Sequence, residues 1–238
     1  MTGLLRVLLP SCSGVFFGIM AIAASVGESD LDQARDRQDL AALERIISQY
    51  QHPAQPNLKP AEANYRLALA YSYAAEVAIE LRDKKKAEAL AEKGIEAARR
   101  AASEKPSNAE YHRILGELCG QVIPANPIFG GLKYGQCARD EINKALELDN
   151  RLALAYVSRG VGNFYLPSSM GGGLDVAIKD FDKAISLDAN LAEAYLWQGV
   201  ALRKANRDAE ARQALLRALQ LDPGRLWVKQ QLDKTPSR

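Results

Sequence analysis

The feature that most restricts what this chain can become is a spacing of small and large apolar residues that occurs three times. A glycine (Gly199, Gly160, Gly116) is followed, after a break, by an alanine (Ala211, Ala177, Ala138). Four residues on comes a bulky apolar residue (Leu215, Phe181, Ile142), and three beyond it a second alanine (Ala218, Ala184, Ala145). Steps of four and three keep these positions on one helix face. A glycine set against them lets a second, antiparallel helix come close while the large side chain fills the gap beside it. Pro223, Ala189 and Asn150 then mark where the second helices end. The pattern specifies stacked helical hairpins, and composition agrees. Ala and Leu are abundant, aromatics make up 7%, and no Val/Thr-rich alternation offers material for strands. With 238 residues the chain can bury a sizeable core.

Four residues before each glycine stand Tyr195, Tyr156 and His112; Leu115 directly precedes Gly116, where Arg159 and Gln198 depart from an apolar residue. The second helices read CARDEINKALELDN, LDVAIKDFDKAISLDAN and AEARQALLRALQLDP. Over residues 109–225 this resembles the tetratricopeptide repeat (TPR) family. The resemblance implies an all-α, right-handed α-solenoid of helical hairpins with N-terminal and C-terminal flanking helices. Repeats are expected at 109–152, 153–191 and 192–225, preceded by a degenerate repeat at 61–108 built from Tyr65–Leu81 and Lys84–Ser103 and closed by Pro106. Asp30–Gln51 reads as one N-terminal amphipathic helix and His52–Pro60 as the loop after it. Arg225–Lys234 reads as the capping helix a solenoid end needs, and the region after the last repeat, 226–238, as capping helix and tail.

Residues 1–27 have the order of an address: Arg6, then the uncharged run Val7–Val26, then small residues ahead of Glu28 and Asp30. They are expected to act as a signal peptide, cut after Ala23, Ser25 or Gly27, or to remain as a membrane anchor. Both readings export residues 28–238 to a periplasmic or secreted location, since Arg6 precedes the run and acids follow it. Leu9-Pro10-Ser11-Cys12 only faintly resembles a lipobox.

The glycine-to-alanine distance grows from 12 to 17 to 22 residues going backward along the chain, so extra residues lie between the two helices of two repeats. These insertions are Ile123–Gly135 and Leu166–Leu174, expected side by side on one edge. Either they form a lip over a binding groove, with Ile128, Phe129 and Met170 as apolar contacts, or they are extended turns over the hairpin ends. Their Pro and Gly content also resembles exported bacterial TPR proteins with Gly-rich insertions between helices. Cys119 and Cys137 flank the larger insertion and are expected either to be bonded or to be two buried thiols.

Lys and Arg number 31 against 29 acids, a balance that offers no field for nucleic acid. No Cys-x-x-Cys or His-x-x-x-His pair has metal-ligand spacing, so neither metal nor cofactor is expected. His112 lacks a nucleophile or acid partner with a local signature and reads as a packed histidine; Lys84, Lys85 and Lys86 read as a solvated helix start. A hydrolase is therefore disfavoured and no catalytic residue is assigned.

In TPR proteins, first-helix residues at fixed offsets from the glycine face a concave groove. Carried over, these are Arg113, Glu117 and Gln121; Val157, Val161, Phe164 and Tyr165; and Leu196, Val200, Arg203 and Lys204. With Ala68 in the glycine place, Tyr65, Leu69 and Tyr73 join them. Such a groove suits an extended peptide or an amphiphile, unless a flanking helix fills it. The expected function is a non-enzymatic scaffold for a protein or peptide partner in the cell envelope. The alternative is a small-ligand or lipid-binding accessory component of an envelope transport system.

Overall fold

The computed structural model describes residues 28–52, 58–124 and 127–236; the expected address segment, residues 1–27, lies outside them. Eleven α-helices run through the described residues: α1 Glu28–Asp36, α2 Leu40–Gln51, α3 Pro60–Glu80, α4 Lys84–Glu104, α5 Ala109–Val122, α6 Pro127–Leu148, α7 Ala153–Tyr165, α8 Leu174–Leu187, α9 Ala192–Lys204, α10 Asp208–Leu221 and α11 Leu226–Asp233. Consecutive helices pair as antiparallel hairpins. The first helices of neighbouring hairpins also touch, α1 on α3, α3 on α5, α5 on α7 and α7 on α9, so the odd-numbered helices form an inner wall. This is an all-α solenoid.

The repeated spacing does what its geometry requires. A methyl group added at Gly199 would lie 2.6 Å from Leu215 Cγ, one at Gly160 2.5 Å from Phe181, and one at Gly116 2.8 Å from Ile142. All three large residues are almost wholly buried, and Ala211, Ala177, Ala218, Ala184 and Ala145 are fully so. The degenerate hairpin reverses the arrangement: Gly94 sits on the second helix, α4, with Tyr71 of α3 and Leu118 of α5 pressed against it. Arg159 and Gln198, the departures from an apolar residue, are matched by polar partners on the facing helices. Arg159 donates to Asp180 (2.6 Å) and Gln198 to Asp182 (2.6 Å).

Two expectations need correction. Asp30–Gln51 is not one helix: it breaks at residues 37–39, where Gln38 takes a left-handed φ of 54° and the Asp39 carboxylate accepts from Ala42 N–H (2.9 Å), capping α2. The same turn joins α3 to α4, with Arg82 at 64° and Asp83 capping Lys86 N–H, and α9 to α10, with Asn206 at 60°. The break turns an apparent flanking helix into a hairpin of the solenoid format, with Leu31, Leu43 and Ile46 in the core.

The insertion Ile123–Gly135 is mostly helical and not a loop. Pro127 opens α6, a position where its missing N–H costs nothing. Gly130 lets that first turn lie against Val122 and Ile123, and Tyr134 is buried, its hydroxyl donating to Glu92 of α4 (2.8 Å). The disulfide Cys119–Cys137 then ties α6 to α5. Leu166–Leu174 is a turn, a single 3-10 step at Ser168–Met170 followed by Gly171 and Gly173 at φ 86° and 111°, which only glycine adopts without strain.

Candidate functional site

The inner wall carries charged clusters where the sequence left two alternatives, an open groove or one filled by a flanking helix. Arg113, only 4% exposed, donates from Nε and Nη2 to the two oxygens of Glu110 (2.7 and 2.6 Å) and from Nη1 to Glu117. Glu117 accepts in addition from Ser72 of α3 (2.7 Å) and Ser158 of α7 (2.9 Å), and Tyr65 donates to Glu110 (3.0 Å). Burial opposes the Arg113 charge, yet the two glutamates outweigh it and hold its pKa above the ordinary value. The network stitches three inner helices together. It sits between the core of the first three hairpins and that of the last two.

A second cluster closes the solenoid end to end. Arg225, which precedes α11, is 1% exposed and donates to Glu76 (2.8 Å) and Glu80 of α3 and to the carbonyl of Arg35 in α1 (3.2 Å). Gln38 bridges Glu80 (2.8 Å) and Gln230 (2.9 Å), so residues 192 apart in sequence meet. Arg35 pairs with Asp36 (2.9 Å) and lies over the Tyr73 ring at 4.6 Å. Burial, followed by the neighbouring Glu76 charge, pushes Glu80 up to about 8 despite Arg225.

The third element is an aromatic wall from the last hairpins. Phe164, Tyr165, Trp197 and Trp227 meet edge to face at centroid distances of 5.0–6.5 Å, and the Lys204 ammonium lies 4.3 Å from the Phe164 centroid. At its foot Glu193 accepts from the Trp197 indole N–H (2.8 Å). Glu193 faces the centre: burial, then Glu76, push it up to about 7, while Arg225 and Arg35 pull the other way.

Among the sequence-predicted groove residues, Leu69, Val157, Leu196, Val200 and Arg113 are buried and offer no surface to a ligand. The reason is that the inner wall is closed by neighbouring helices and by α11. Arg203 is occupied by the carbonyl and side chain of Gln231 (2.9 and 2.7 Å). Tyr65, Tyr73, Glu117, Gln121, Val161 and Phe164 are half-buried on the inner side, and Tyr165 and Lys204 are exposed. Ile128, Phe129 and Met170 project into solvent at 73%, 71% and 68% exposure. His112 has both ring nitrogens engaged, by Glu141 (2.6 Å) and the Pro106 carbonyl (2.9 Å).

Sequence reasoning missed Arg35, Glu76, Glu80, Glu110, Glu193 and Arg225. Two had a readable signal, because Glu110 and Glu193 both stand six residues before their glycines, one turn upstream of the offsets used. Arg225 had none; its partners lie about 145 residues away.

With this geometry in view, comparison with known proteins places the molecule. A tetratricopeptide repeat motif matches residues 192–225. TTC0263, a thermophilic TPR protein of Thermus thermophilus, aligns over 87% of this chain and 97% of its own, with TM-score 0.60 and 17% identity. MamA aligns over 81% and 94% (TM-score 0.42, 22% identity). YrrB, described as a TPR protein with an unusual peptide-binding site, aligns over 84% and 87% (TM-score 0.39, 19% identity). At these identities the first likeness concerns the fold alone, and the other two carry no argument. No curated protein matches significantly. The molecule is a TPR protein, of a class whose members generally act as protein-interaction scaffolds and not as catalysts. The family of regulator of microtubule dynamics proteins 1-3 matches residues 29–166, more than half of the chain, and the chain belongs to that family.

Proposed function

We propose that this protein is a non-enzymatic scaffold of the cell envelope that holds a protein or peptide partner on its inner wall. The observation that carries this reading is the wall itself: half-buried and exposed side chains of α3, α5, α7 and α9, led by Tyr165 and Lys204, face inward on a frame that the Arg113 and Arg225 clusters hold rigid. Envelope location is supported by the positive, apolar, small order of residues 1–27 and by a disulfide, a bond that persists in oxidising compartments. The test is a photo-crosslinking residue in place of Tyr165, with the outward Arg139 as control, followed by cell fractionation. A protein crosslinked at position 165 and not at 139, in the envelope fraction, is the expected outcome. A retained small molecule in its place would favour the transport-accessory alternative.

The family match favours a second reading. Its description names regulation of microtubule dynamics, so the partner would be a filament-forming protein. A crosslinked filament protein recovered from the cytoplasm would establish that reading over the first.

A further inference from the structure

We propose that the inner wall receives a cationic side chain, Lys or Arg, of the partner segment, paired with the Glu193 carboxylate alongside the aromatic wall of Trp197, Trp227 and Tyr165. The inference rests on the scaffold reading and names the chemistry of its partner.

The interior cations are each matched by acids of the chain itself. Arg113 is matched by Glu110 and Glu117, Arg225 by Glu76 and Glu80, and Arg35 by Asp36. Glu193 is left with no cationic partner within ion-pair distance among the described residues. Its one hydrogen bond comes from a neutral indole, while an ionised carboxylate has room for about four. Beside it stand the rings of Trp197, Tyr165 and Trp227, and aromatic rings attract Lys and Arg. That wall already takes a cation from within the chain, Lys204 over Phe164. Tyr165, 46% exposed, keeps its outer side open to a partner.

Other occupants fit less well. An acidic segment would meet Glu76, Glu117 and Glu193, all of which act electrostatically on this spot. The unpaired Nε of Arg225 offers an anion no access, since that side chain is 1% exposed and fenced by Glu76, Glu80 and Asp36. A neutral apolar segment would cover Glu193 without pairing it, which is costly for a charge. Burial first, and the Glu76 charge after it, raise the affinity of Glu193 for its proton despite Arg225 and Arg35, so a further cation brought against it would favour the ionised carboxylate.

Selection of randomised displayed peptides on the purified full-length chain tests this, with binding of the enriched peptides then compared on wild type, E193Q and W197F. E193Q keeps the shape of the side chain, and circular dichroism checks that both variants are folded. Enrichment of Lys or Arg, with affinity falling about tenfold in E193Q and severalfold in W197F, is the expected result. Basic peptides that bind wild type and E193Q equally overturn the inference. Acidic or neutral peptides whose binding depends on Trp197 also overturn it while leaving the scaffold reading intact, and failure to enrich any peptide that depends on the inner wall overturns both.

Discussion

Replacing Arg225 with Met should open the solenoid at its closure point. The side chain is 1% exposed and its guanidinium is the cation between Glu76 and Glu80, the latter with a side chain 2% exposed. Met fills much of the volume but leaves two carboxylates facing each other with Gln38 as the remaining donor to Glu80. Breaking a buried pair by removing one partner costs about 3–5 kcal/mol. For a chain of this length each kcal/mol lowers Tm by about 2–4 °C, so a fall of about 6–20 °C is expected. The measurements are thermal unfolding by circular dichroism and amide hydrogen exchange, with lost protection concentrated in α1, α3 and α11. Adding E76Q and E80Q to the Met variant should recover most of the loss, because neutral amides do not require the cation. A loss below about 1 kcal/mol, the range of exposed ion pairs, would refute the reasoning by showing that the cluster is effectively solvated.

Gly199→Ala should destabilise by about 1–3 kcal/mol, since its methyl meets Leu215 Cγ at 2.6 Å and the Ala211 carbonyl at 3.0 Å. Gly162→Ala, on the open side of α7 with nothing within 4 Å, should stabilise by about 0.5–1 kcal/mol in the same urea titration. Removing the disulfide as C119S/C137S should cost about 3 kcal/mol for the 18-residue separation it closes, read by denaturation with and without reductant. Glu193 and Glu80 have folded-state pKa values of about 7 and about 8, above their unfolded value, so the folded state holds more protons between. Stability is then greatest on the acid side and is lost as pH rises from about 5 toward 8. Tm measured across that range should fall, and E193Q should flatten the slope; an unchanged slope would show that Glu193 does not titrate there.

The sequence by itself determined the hairpin and its contacts, because those depend on residues a few turns apart. Gly199 meets Leu215, Gly160 meets Phe181 and Gly116 meets Ile142, each legible from a spacing of small and large residues that only close helix packing explains. It also brought Cys119 near Cys137, since antiparallel helices return the chain beside itself. Where Pro and Gly were read as loop signals in Ile123–Gly135, tertiary contacts won: a proline at a helix start and a buried Tyr134 held against α4 make the segment helical. The break at Gln38 needed the Asp39 cap, a local signal too short to outweigh the periodicity around it. The character of the inner wall was decided only in three dimensions. A solenoid's curvature is the sum of small rotations between repeats, and no local pattern encodes their total. That sum brings Arg225 onto Glu80 and Gln230 onto Gln38, turning what the repeat alone describes as a groove into a charged inner wall that is buried in part and stays exposed at Tyr165 and Lys204.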